Sequence, residues 1–360
     1  MSTLHSDRHE YADTMALVED YFERGWTDGL PIVPPTPALV EEFLAAAALE
    51  PGEVLGAVPT REVVVTAEHA AINAVMAGCR ADYMPVVIAA VRAHLNEKGN
   101  CHSVTGTLSG AAQVVVINGP ARLRLDVNCK AGCFGPGWRA NATIGRALRL
   151  VTVNLGGAIP GVVSVSTMAH PGRYTYCIGE AEEESPWESL AVEHGFAPGD
   201  SVVAAFAGEA PHGVYDHMSR RAKDLLITIA RSLEVISHHK STHHGDTLVV
   251  LSPEHARTIA DDGWGKVEMR DFLWTRLRKP VRELIPGVDG GEGLPAHVLA
   301  KFPHPETDDT LIAKFREPGN LKFVVAGGTA GRFSAVIPGW TFPKSSRMIW
   351  KKIRMPEEAA

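Results

Sequence analysis

The chain has 360 residues, of which 45% are hydrophobic and 21% charged, the balance of a folded protein with room for one large or two ordinary domains. Its 35 Lys and Arg against 42 Asp and Glu give a net charge of −7, with no long basic run, which argues against nucleic acid as a partner. No apolar stretch approaches the ~20 residues of a membrane span, and the polar start lacks a signal-peptide core, so a cytoplasmic protein with five reduced cysteines is expected.

In chain order, residues 1–10 read as a mobile tail. Tyr11 to Arg24 places Met15, Val18 and Phe22 on one helical face, with Gly25 as its stop. Three prolines make Asp28 to Pro35 an extended loop, and Thr36-Pro37 opens a helix. Thr60 to Thr66 reads as a buried strand, 68–77 and 84–96 as helices, and Ala112 to Ile117 as a strand closed by Asn118-Gly119-Pro120. The Gly- and Cys-rich stretch Asn128 to Trp138 is a loop that delivers the chain to a helix over Arg139 to Asn154. A strand at Tyr174 to Ile178 precedes Ser185-Pro186-Trp187-Glu188, which spells a capping box for a helix ending at Gly195. A strand at 201–206, a helix over 219–237, a strand at 247–251, a helix from Ser252, and strands at 321–326 and 334–337 follow. The basic stretch Lys344 to Arg354 reads as a surface helix or a subunit contact. Alternating elements of this kind predict an α/β or mixed α+β class, a layered sheet with flanking helices in two subdomains. The expected division is a tail over 1–10, a main domain over 11–218, a second subdomain over 219–345 and a C-terminal tail over 346–360.

The densest chemistry lies in Cys129-Lys-Ala-Gly-Cys133-Phe-Gly-Pro-Gly-Trp138-Arg139-Ala-Asn141. Two thiols precede a helix start beside Lys130 and Arg139, a setting that lowers a thiol pKa. Cys133 and Cys129 are therefore the candidate nucleophiles, with Arg139 and Asn141 holding an anionic group. His255 sits in the first turn of a helix, where the dipole keeps it neutral and fit to be a base. Glu183 is the second proton-moving candidate, from the acidic run after the 174–178 strand. Asn118, Glu180 and Lys266 complete the expected substrate contacts. Should the 219–237 helix continue, His239 and His243 would stand one turn apart and chelate zinc or iron. No motif calls for another cofactor. Cys101-His102 reads as part of an extended segment that turns the two side chains apart.

The motifs Asp28-Gly-Leu-Pro-Ile-Val-Pro-Pro-Thr36, Asn73-Ala-Val-Met-Ala-Gly-Cys79-Arg80, Gly135-Pro-Gly-Trp-Arg-Ala-Asn-Ala-Thr-Ile-Gly-Arg146, Glu183-Glu-Ser-Pro-Trp187 and Ser252-Pro-Glu-His-Ala256 resemble an uncharacterised bacterial family associated with UGSC-type (seleno)proteins. The resemblance spans residues 20–340 and implies an enzyme-like subunit working with a redox-active partner. This chain lacks the UGSC tetrapeptide, so no redox residue carries over. Three functions thus stand as expectations. The first is a thiol-dependent oxidoreductase or lyase acting on a small anionic molecule. The second is a metal-dependent hydrolase or lyase, and the third a non-catalytic partner of a UGSC-type protein. A homo-oligomer is expected in each case.

Overall fold

The computed structural model describes residues 3–340 and 347–356. The protein is of mixed α/β class. Its strands among the described residues are β1 (Val54–Val58), β2 (Val63–Thr66), β3 (Ala112–Asn118), β4 (Cys177–Gly179), β5 (Val202–Gly208), β6 (His212–Tyr215), β7 (Thr247–Leu251), β8 (Arg278–Pro280), β9 (Leu311–Ala313), β10 (Leu321–Val325), β11 (Phe333–Ile337) and β12 (Ile349–Lys352). The helices of nine residues or more are α1 (Thr14–Glu23), α2 (Pro37–Ala46), α3 (Ala67–Ala77), α4 (Met84–His94), α5 (Arg139–Asn154), α6 (Ala222–Val235), α7 (Pro253–Asp261) and α8 (Lys266–Arg276).

Two compact units share the chain. One comprises Met1–Glu180, Ser189–Ala210 and Arg347–Ala360, the other Ala181–Glu188 and Pro211–Ser346. The single boundary expected at residue 218 is therefore corrected: the chain leaves the first unit at residue 180 and again at 210, and returns to it at 347.

The first unit is built on the sheet β12-β5-β3-β4, in which β3 runs parallel to β4 and antiparallel to β5. All seven residues of β3 are buried, which its apolar run requires. Helices α4 and α5 pack on this sheet, and α3 packs on α5. The close approach of α5 depends on Gly145, since a Cβ there would lie 2.4 Å from Thr175 Oγ1 and 2.7 Å from the Tyr176 amide. A Thr66–His69 capping box opens α3, and Gly78, at φ +85°, closes it. β1 and β2 form a separate antiparallel pair. Val64 there is 49% exposed, so this is not the buried strand its three valines suggest.

In the second unit the sheet order is β10-β7-β11-β6, with β10 and β7 parallel and the others antiparallel. Its core joins Leu225, Ile229 and Leu233 of α6 to Val249 and Leu251 of β7 and Phe323 of β10. β8 and β9 pair separately.

Three local expectations are corrected. The basic segment near the C-terminus is not a helix: Ile349–Lys352 is the strand β12, paired antiparallel with β5, and Lys344 lies outside the described residues. Ser185 does not cap a helix, because its hydroxyl accepts the Trp187 amide within a turn. The helix starts later, at Leu190, with Ser189 as its cap. Cys101 and His102 lie in a short helix, Cys101–Gly106, rather than an extended segment. The start of the chain is also tethered, since the amides of His5 and Ser6 donate to the Glu68 carboxylate at 2.8–3.1 Å. No helix among the described residues is long and apolar enough to cross a membrane.

Candidate functional site

The residues singled out by sequence fall into both units, and most have structural duties. Cys129 and Cys133 are only 3% and 6% exposed, while Lys130 to Gly132 and Phe134 to Gly137 face outward. Burial, with the neighbouring Cys129, pushes the Cys133 thiol up to about 11. The expected lowering is thus reversed: loss of solvent outweighs the helix terminus. Arg139 turns away from the sulfurs and donates from Nε to Gly78 O (3.0 Å) and from Nη2 to Cys79 O (3.1 Å), satisfying carbonyls at the end of α3. Asn141 is 5% exposed and fully engaged. Its Oδ1 accepts the Asn128 amide (2.7 Å), and its Nδ2 donates to Asn128 O and Cys177 O. It staples the loop to β4 and has no amide group left for a ligand. Asn118 and Glu180 do meet, with Asn118 Nδ2 donating to Glu180 Oε2 at 2.6 Å. The same oxygen accepts the Leu190 amide, and both residues are 0% exposed, so the pair is a strut inside the unit.

In the second unit, His255 is also 0% exposed. Its Nε2 faces Asp216 O (3.2 Å), an acceptor only, so that nitrogen carries the proton and Nδ1 accepts from Ser334 Oγ at 2.7 Å. Burial lowers its pKa, with partial opposition from the Asp216 carbonyl. The ring is enclosed, and an enclosed ring exchanges no proton with a substrate. Lys266 is 8% exposed and donates to Glu188 O. Glu183 is exposed on the turn Glu182–Glu184. The metal alternative loses its premise, since α6 stops at Val235 and His243 sits at φ +57°. His239 Nε2 meets Asp289 O at 2.8 Å, and among the described residues no group of three or more His, Cys, Asp and Glu side chains could hold a metal ion.

The structure draws attention instead to a cleft of about 620 Å³ in the first unit. It is lined by Asp28, Arg149 and Val153, and by Ser164, Ser166, Met168, His170, Arg173 and Tyr174 of the segment that links α5 to β4. That volume falls in the range of small-molecule sites. The motifs behind the family resemblance build its base. Arg146 grips Asp28 through two bonds of 2.8 Å and also donates to Pro31 O, so α5 is locked to the proline loop. One turn further along α5 stands Arg149, 8% exposed, with no hydrogen bond or ion pair among the described residues. Burial and the like charge of Arg173, partly offset by Asp28, bring its pKa down from the ordinary arginine range to about 10. It therefore remains cationic at neutral pH. Arg173 donates to Ala111 O (3.0 Å), Ser164 Oγ (2.7 Å) and Ser109 O (3.5 Å). His170 Nδ1 accepts the Gly172 amide, and burial lowers its pKa, so the ring is neutral.

Sequence reasoning missed Arg149, Arg173 and Ser164. The one available signal was an arginine inside the apolar run Ala147-Leu-Arg149-Leu-Val-Thr-Val153. Such a charge demands a partner, and among the described residues none bonds to it. No protein-family model matches the chain, and no curated protein or solved structure matches it either.

Proposed function

We propose that the protein acts on a small anionic molecule, which it binds in the Arg149 cleft of the first unit. The observation that carries this reading is Arg149 itself: a residue nine-tenths buried, charged, lining the cleft and unpaired among the described residues. An uncompensated buried charge is costly, and proteins keep such features where function needs them. Two oxygens of a bound carboxylate or phosphate would accept two of its N–H groups in a planar fork. Asp28 does not compete for this place, because Arg146 already holds both its oxygens. The anionic substrate expected from the sequence is kept, while the buried high-pKa Cys133 gives no support to a thiolate as the reacting group.

The test is calorimetric titration of the full chain with malonate and with inorganic phosphate. Binding of at least one of them to the wild type, lost in Arg149→Met, is the expected result. Equal binding by that variant, or none by either protein, would remove the proposal.

A further inference from the structure

Resting on that reading, we infer that the natural ligand carries two negative charges on oxygen, as a dicarboxylate or a phosphomonoester does, and that Arg173 and Ser164 receive its second charge. The charge balance of the cleft wall points there. Three of its lining residues, Asp28, Arg149 and Arg173, carry full charges. The Asp28 charge is consumed within the wall: Oδ2 takes Arg146 Nε, while Oδ1 takes Arg146 Nη2 and the Leu30 amide at 3.2 Å. Arg173, by contrast, contacts only neutral acceptors, the carbonyls of Ala111 and Ser109 and the Ser164 hydroxyl. No carboxylate pairs with it among the described residues. Two positive charges thus remain uncompensated around one cavity, and a monoanion would neutralise half of them.

Ser164 adds direction. Its oxygen accepts from Arg173 Nη1 at 2.7 Å, and its own hydrogen remains to be donated to an oxyanion. The three contacts of Arg173 also use only part of its five-donor fork, and they fix its orientation before a ligand arrives. Val153, which is buried, lines the same cleft, and an apolar wall there strengthens each charge interaction by excluding water. Asp28 is the carboxylate lining the cleft among the described residues, and Arg146 pairs with both its oxygens, so an ammonium group is poorly matched to this wall.

The experiment is titration of the full chain at pH 7.5 and fixed ionic strength with malonate, inorganic phosphate and acetate. Malonate or phosphate, or both, should bind at least about tenfold tighter than acetate. Which of the two prevails tells a dicarboxylate site from a phosphate site. Arg173→Met should erase that preference, weakening malonate and phosphate far more than acetate. Arg173→Lys, which keeps the charge, should retain most of the preference, and it guards against misreading a folding defect in the Met variant. Acetate binding as tightly as both dianions, or a preference that survives in Arg173→Met, overturns the inference while leaving the Arg149 site intact. Failure of the Arg149 site reads differently: no anion binds, or Arg149→Met binds all three as the wild type does.

Discussion

Replacing Arg149 with methionine should make the ligand-free protein more stable, which is the opposite of what most buried substitutions do. Arg149 is 8% exposed and its pKa falls from the ordinary arginine range to about 10, chiefly through burial and then through the charge of Arg173. At about 1.4 kcal/mol per pH unit, that drop corresponds to roughly 3 kcal/mol against the charged folded state. The folded protein holds this proton less tightly than the unfolded chain does. The penalty is therefore in full force at pH 7, and it is relieved only as pH rises from about 10 towards the ordinary arginine range. Methionine keeps most of the apolar stem and removes the charge. Relaxation and water entry already offset part of the penalty in the wild type, so a net gain of about 1–2 kcal/mol is expected, or roughly 3–6 °C in the transition of the first unit. Urea denaturation at pH 7 in a low-anion buffer, supported by scanning calorimetry, measures it. Adding a bound dianion at about 100 times its Kd should stabilise the wild type by roughly 2.7 kcal/mol and the variant not at all. A variant that loses more than about 1 kcal/mol without ligand would show that the fold itself uses this guanidinium, and the reasoning would fail.

Two other outcomes follow from buried ionisable groups. Neutral-pH alkylation of the native protein followed by mass spectrometry should label Cys101 first, because it is only partly buried, whereas Cys79, Cys129, Cys133 and Cys177 are enclosed and burial pushes Cys79 and Cys133 up to about 12 and about 11; rapid labelling of Cys133 would restore the thiolate reading. In the second unit, burial and Lys279, partly opposed by Glu234, bring Lys314 down from 10.5 to about 7, so the unfolded chain binds more protons between those values and stability should rise by on the order of 2 kcal/mol from pH 7 to pH 9, a rise that Lys314→Met should abolish in denaturation curves.

Periodicity made the layers legible. The helix expected over Arg139 to Asn154 has those same bounds as α5, and β3, β7, β10 and β11 lie where short apolar runs between turn residues place them. Strand partners were not legible, because pairing is set by long-range contacts; nothing local marks Ile349–Lys352 as the neighbour of β5. Capping chemistry misled at Ser185, where a hydroxyl that caps helices served a turn just as well. The site failed for a related reason. Cys133, Asn141 and His255 are chemically versatile, but a versatile side chain is often the one that ties loops together inside a fold. From Ala147 to Val153 every residue of α5 is buried, so the helix has no solvent face there to betray which charge points into a cavity. The apolar run around Arg149 marks it as a buried charge but does not say which cavity it faces.

The strand β12 has a consequence for biosynthesis. Residues that close the outer side of β5 leave the ribosome some 140 positions after it, with most of the second unit translated in between. For on the order of ten seconds the nascent chain must carry an open β-edge at Val202–Gly208. Such an edge is a template for pairing with other chains until the β12 segment docks.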